Sequence, residues 1–135
     1  IKRYIMIKGK CHCESVKYES KNNSKFAVFC HCETCRKING SAFGSSAAVP
    51  KVGFFIISGE NFLEEYESSP GKIRHFCTKC GTHVYATSAK NPEYVMLRLG
   101  CIEGNHDIFP TKHIWVSHKA PWYEITNNLP MYEEG

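Results

Sequence analysis

Long hydrophobic runs are missing from this chain. No stretch approaches the length of a membrane-spanning helix. The opening Ile1-Lys2-Arg3-Tyr4-Ile5-Met6-Ile7 is too short for the apolar core of a secretory signal and has no small-residue cleavage site. Those absences argue against membrane partners and predict a cytoplasmic setting, where reducing conditions keep cysteines as thiols available to metal. Runs of Lys or Arg are missing as well. The net charge of +4 is scattered, with pI near 8.6. Without a basic stripe, an RNP-like aromatic set or a recognition helix, nucleic acid ranks last among partners, and mild basicity suits an anionic small molecule. No repeat, low-complexity tract or dividing linker occurs, so the 135 residues read as one domain, 1–135. Nothing legible bears on oligomeric state.

Helical periodicity is nearly absent too, apart from a turn or two after Cys32. In its place stand short β-branched and aromatic runs: Tyr4 to Ile7, Val16 to Tyr18, Phe26 to Phe29, Ala47 to Val49, Phe54 to Ile57, Tyr94 to Leu99 and His113 to Val116. Gly and Pro punctuate them, Pro70-Gly71 among others. Val95, Leu97 and Leu99 alternate like a strand with one buried face, whereas Phe54-Phe55-Ile56-Ile57 reads as covered on both sides. The expected fold is mainly β, two packed antiparallel sheets with metal sites at loop ends.

What the chain has in abundance is cysteine. Seven of its eight cysteines fall into three clusters, Cys11-His12-Cys13, Cys30-His31-Cys32-Glu33-Thr34-Cys35 and Cys77-Thr78-Lys79-Cys80. Sulfurs this dense are the ligand set of a soft tetrahedral ion, above all zinc. Cys77 and Cys80 are two residues apart, with Gly81 permitting the tight turn that follows; Cys11 and Cys13 require a sharper bend, which Gly9 assists. Each pair supplies two ligands, so the pairs complete one another across a long loop, as a structural zinc requires. Cys30, Cys32 and Cys35 then form a local three-sulfur site with a free fourth position, where chemistry can occur.

Taken together, Gly9-x-Cys11-x-Cys13, Cys30-His31-Cys32-x-x-Cys35-Arg36, Phe76-Cys77-x-x-Cys80-Gly81, Leu99-Gly100 and His113-Ile114-Trp115 resemble the glutathione-dependent formaldehyde-activating enzyme family, from about Gly9 to Trp122. The resemblance implies a β-rich fold with two zinc ions. It places Cys11, Cys13, Cys77 and Cys80 at a structural zinc and Cys30, Cys32 and Cys35 at a catalytic one. It also implies carbon–sulfur lyase-type activity on an adduct of glutathione and an aldehyde, formation of S-hydroxymethylglutathione from formaldehyde.

Charge supports thiol chemistry independently. Zinc with three thiolates carries a formal −1, a poor generator of hydroxide, but it still favours the ionised form of an incoming thiol. Hydrolysis is correspondingly disfavoured.

Each candidate has a plainer reading beside it. Cys101 as an eighth ligand would close both sites and leave a purely structural protein, but its isolation favours packing as a small hydrophobe. His12 and His31 read as spectators or outer donors because residues between ligands tend to point away. His83, His106 and His118 read as surface or strand residues, and redox use of the CxxC pairs lacks a βαβ setting. Arg36 and Lys37 can hold a glutathione carboxylate or form a solvated basic turn. Trp115, Trp122 and Tyr123 read as packing. Two function classes remain: an enzyme acting at an open zinc on a thiol and an aldehyde, and a non-catalytic zinc-stabilised binding module.

Overall fold

A computed structural model describes residues 6–135. Among them, strands β1 (Ile7–Lys10), β2 (Lys17–Ser20) and β5 (Phe54–Ser58) form one antiparallel sheet in the order β1-β2-β5. The second sheet takes in β3 (Phe26–Cys30), β4 (Gly44–Pro50), β6 (Leu63–Ser69), β7 (Lys72–Cys77), β8 (His83–Ser88), β9 (Tyr94–Arg98) and β10 (His113–Ile114). Its order is β10-β3-β4-β9-β8-β7-β6, antiparallel throughout except that β10 runs parallel to β3. The expected two-sheet β architecture is the one observed. Helix α1 (Glu33–Asn39) follows Cys32, as read from the sequence. No helix among the described residues is long and apolar enough to cross a membrane.

Period-2 alternation divides the larger sheet into two faces. On one face Ala27, Ala47, Val49, Val95 and Leu97 pack with Ile7, Val16 and Tyr18 of the smaller sheet into a shared buried core. The opposite face carries Val28, Ser46, Met96, Arg98, Ala86, Lys72 and Arg74 and forms the floor of a cavity. Register sets these residues side by side: Ser46 pairs with both Val28 and Arg98, and Ala86 with both Arg74 and Met96.

Several local expectations are corrected. The Tyr4 to Ile7 strand lies partly outside the described residues, and β1 begins at Ile7. Phe54 to Ile57 is not covered on both sides: Phe55 and Ile57 are about half exposed, because β5 is the edge of the small sheet and only Phe54 and Ile56 face the core. Leu99 leaves the strand for a 3-10 turn. Beyond Ile114 the chain also turns: Trp115 has φ 57°, in the left-handed region, and Val116–His118 is a 3-10 turn. Gly9 serves a different purpose from bending the chain. It sits in β1 opposite Tyr18, and a Cβ there would fall 2.1 Å from the Tyr18 ring, which lies buried against its backbone.

Candidate functional site

All eight cysteines are unbridged, and seven gather into two groups. The sulfurs of Cys11, Cys13, Cys77 and Cys80 lie within 4.8 Å of one another, as do those of Cys30, Cys32 and Cys35. The N-terminal and middle segments meet as the spacing predicts.

The four-cysteine group is built from two turns. After β1 the backbone turns back, with Glu14 N–H donating to the Cys11 carbonyl at 3.0 Å and Glu14 in the left-handed region at φ 66°. Val16 N–H donates to Cys11 Sγ at 3.3 Å. After β7, Gly81 N–H closes onto the Cys77 carbonyl at 2.7 Å, and Gly81 takes φ 78°, the conformation for which a glycine there was expected. Thr82 Oγ1 joins the turns, 3.2 Å from Cys80 Sγ and accepting from His12 N–H. The donor set fits a tetrahedral ion: sulfurs bound at 2.3 Å stand roughly 3.8 Å apart. Cys11 and Cys13 sulfurs are 3.7 Å apart, and those of Cys13 and Cys77 are 3.8 Å apart. This group can hold a metal ion, consistent with zinc.

The three-cysteine group sits at a strand-to-helix junction. Cys30 ends β3, Cys32 is the N-cap of α1, and Cys35 follows one turn later, so a single reversal brings the three together. Cys32 Sγ accepts from Cys35 N–H at 3.3 Å, the bond an N-cap side chain makes. Glu33 and Lys37 pair at 2.8 Å along the exposed face, and Gly40 closes the helix at φ 57°. Hydrogen bonds from Cys30 and Cys32, with Arg74 and Arg98 nearby, hold the Cys35 thiol far below its usual range. Hydrogen bonding to Cys32 and Cys35 and burial push Cys30 up. The Arg74 and Arg98 guanidiniums add to this by favouring the ionised form at Cys35. This set, too, can hold a metal.

The group opens onto a cavity of about 520 Å³ lined by Lys72, Arg74, Lys90 and Arg98. Among the described residues Glu33 is the one carboxylate on its wall, and it already pairs with Lys37. Arg36 and Lys37 do not line this cavity. Lys37 fits the solvated-turn reading, and the cations in place to meet a ligand come from β7 to β9 instead. Sequence reasoning missed them because Lys72, Arg74 and Arg98 occupy alternating strand positions that read as solvent-facing. The visible signal was the pairing of Lys72 with Arg74 on one face of a short strand. Trp115 and His118 line the cavity as well, contrary to their reading as packing and surface residues. Trp122 is 70% exposed, while Tyr123 packs edge-on to Phe43.

His31 is fully buried and turned away from the sulfurs. Its Nε2 lies 2.8 Å from His113 Nδ1, sharing one proton between them, and His113 Nε2 lies 3.0 Å from Asn127 Oδ1. Burial and the neighbouring His113 and Lys119 pull its pKa down to about 4, so it stays neutral and ties the Cys30–Cys32 segment to β10. His12 is exposed. Cys101 belongs to neither group: its thiol faces the His83 carbonyl at 3.6 Å, and burial pushes its pKa up to about 11. The small-hydrophobe reading describes it.

Residues 6–118 match the model of the family described as glutathione-dependent formaldehyde-activating enzyme. The chain belongs to that family. It is 28% identical over 126 residues to an uncharacterized lyase of Schizosaccharomyces pombe, covering 92% of this chain and 88% of that protein. With a Halomonas elongata protein named for the same enzyme it shares 24% identity over 129 residues, 90% of this chain and 82% of the relative. A crystal structure of a Rhodobacter sphaeroides protein superposes with a TM-score of 0.63 at 25% identity, covering 74% of this chain and 91% of the other. Membership in this family assigns the chain a glutathione-related, enzymatic role.

Metal release offers a direct check. The four-cysteine site has one more protein ligand and spans two distant segments, so a chelator is expected to strip the three-cysteine site first and leave about one ion per chain. Metal analysis during dialysis against graded chelator measures the order; simultaneous loss would contradict the difference in ligand number.

Proposed function

We propose that the protein is a zinc-dependent carbon–sulfur lyase-type enzyme that joins an aldehyde such as formaldehyde to the thiol of glutathione. Cys11, Cys13, Cys77 and Cys80 hold a structural zinc, and Cys30, Cys32 and Cys35 hold the ion at the reaction site. The observation that supports this reading most is the three-cysteine group opening onto a cavity lined by four cations and one neutralised carboxylate. A zinc bound there leaves a position for the thiol and favours its thiolate form.

The residues of the chain supply the rest. Lys90 is exposed and Lys72 half-buried, so these two ammonium groups mark the cavity mouth, where the carboxylates of glutathione would meet them. Trp115 and Ile114 give an apolar wall that limits water at the sulfur. In the addition, a sulfur–carbon bond forms, the carbonyl π pair moves to oxygen, and the proton lost by the thiol ends on that oxygen.

Calorimetric titration of the zinc-loaded protein with glutathione in two buffers of different ionisation enthalpy tests the reading. Binding is expected to release close to one proton as the thiol ionises. If no thiol binds, the family's chemistry is absent from this chain and the zinc-stabilised binding module becomes the better account.

A further inference from the structure

Two arginines lie deeper than the lysines, and their surroundings are unusual. Arg74 and Arg98 are more than nine-tenths buried. No carboxylate forms an ion pair with either among the described residues; those ion pairs involve Lys8, Lys10, Lys37 and His75. Arg74 donates from Nε to Ser68 Oγ at 2.9 Å, which aims Nη1 toward Cys35 Sγ at 4.0 Å. Arg98 donates from Nη1 to Ser46 Oγ at 2.6 Å, while its Nε and Nη2 are buried without a partner. A Cβ added at Gly44 would lie 3.3 Å from Cys35 Cβ and 3.4 Å from Arg98 Nη1, which places this guanidinium too beside the cluster.

A buried guanidinium calls for a counter-charge. The cluster compensates only part of this charge. Three thiolates around a divalent ion would carry −1 against two buried guanidiniums; a fourth from the substrate would balance the second, and that charge passes to oxygen as sulfur adds to the carbonyl. The lysines stand at the mouth, within reach of the distant carboxylates of a thiol such as glutathione. Arg74 and Arg98 stand on the floor, next to the sulfurs, where the atom bonded to the substrate sulfur will be.

We propose that Arg74 and Arg98 form an oxyanion-binding subsite for the carbonyl partner of the thiol. This rests on the reading of the cavity as the site of thiol–aldehyde addition. The shared chemistry is an oxygen carrying negative charge one or two bonds from the carbon that joins sulfur. It arises either on the hydroxymethyl oxygen as the carbonyl π pair moves onto it, or on a carboxylate carried by a short α-oxo acid. A pair of fixed guanidiniums in a site screened from water stabilises either, and a guanidinium fits a planar carboxylate in two-pronged fashion.

The test has a kinetic and a spectroscopic part. Exchange spectroscopy compares zinc-loaded wild type, Arg74→Gln and Arg74→Lys with glutathione plus formaldehyde, and with glutathione plus glyoxylate. Arg74→Gln is expected to lose about 100-fold in rate above background, the cost of removing one oxyanion donor, with glutathione affinity changed less than about threefold, and Arg74→Lys to recover part of the loss. Equal losses for both aldehydes assign the subsite to the hydroxymethyl oxygen. A wild-type preference for glyoxylate that vanishes in Arg74→Gln assigns it to the carboxylate. Both variants zinc-loaded and within twofold of wild type would overturn the proposal. If wild type accelerates neither aldehyde, the addition reading fails by itself, and the subsite is judged by nitrogen-15 spectra of the arginine Nε–H groups in zinc-loaded protein titrated with glyoxylate. A shift of the Arg74 and Arg98 signals supports it, and unmoved signals overturn it.

Discussion

Cys77→Ser is expected to unfold the chain, and Cys35→Ser to leave it folded. The sulfurs of Cys11, Cys13, Cys77 and Cys80 meet from the end of β1 and the end of β7, 64 residues apart for the Cys13–Cys77 contact. Cys77 is fully buried and belongs to the hydrophobic core as well as to the sulfur group. A structural zinc in such a site contributes ~10 kcal/mol or more, against a typical net stability of ~5–15 kcal/mol for a whole domain. Losing that ligand removes most of the margin. Cys35 belongs instead to a local junction whose helix and strands keep their own hydrogen bonds. Thermal melts followed by circular dichroism at fixed zinc will rank the two. A larger drop in midpoint for Cys35→Ser would reverse the division of labour between the clusters.

Cys32→Ser is expected to bring the rate of thiol–aldehyde exchange down to the uncatalysed background without a comparable loss of stability. Cys32 is the N-cap of α1 and, in the proposed site, a sulfur ligand as well. Serine is among the preferred N-caps, so the hydrogen bond to Cys35 N–H survives the substitution. The soft ligand does not, and metal affinity at the three-cysteine site is expected to fall by more than ~100-fold, beyond the loss seen when only an outer partner of a ligand is removed. Exchange spectroscopy at matched free glutathione, paired with zinc analysis, checks both halves. Retention of the full rate by a variant carrying one zinc would place the chemistry elsewhere. Cys101→Ala, at a thiol outside both groups, is the matched control and is expected to leave the rate unchanged.

The parts of the fold legible in the sequence were those where one segment carried its own evidence. The β2, β3, β5 and β9 runs are rich in β-branched or aromatic residues, and the turn after Cys32 is marked by helix-compatible residues followed by Gly40. Strands β6 to β8 were not read. Leu63 to Ser69 is Leu-Glu-Glu-Tyr-Glu-Ser-Ser, and its strand identity comes from pairing along β7 at the sheet edge rather than from its composition. Lys72 to Cys77 and His83 to Ser88 mix charged, small and aromatic residues because one face of each meets the core or its rim and the other meets the cavity. At Trp115 a run that looks like a strand is broken by a left-handed residue, a choice made by the backbone bonds of 115–117 to the C-terminal segment 132–134.

The two cysteine groups that could hold metal were legible in the sequence alone. Sulfur ligands two residues apart converge through a single turn, and ligand number then pairs the outer clusters and isolates the central one, so local spacing and coordination chemistry suffice. The cavity was decided by tertiary structure. Alternation along β7 and β9 shows that Lys72 and Arg74, or Met96 and Arg98, share a face, but strand periodicity carries no information about which strands lie beside them. Only the order β3-β4-β9-β8-β7 sets Arg74 and Arg98 on the floor beneath Cys35. Long-range register, which no short stretch of sequence encodes, turned two polar strand positions into a buried pair of charges.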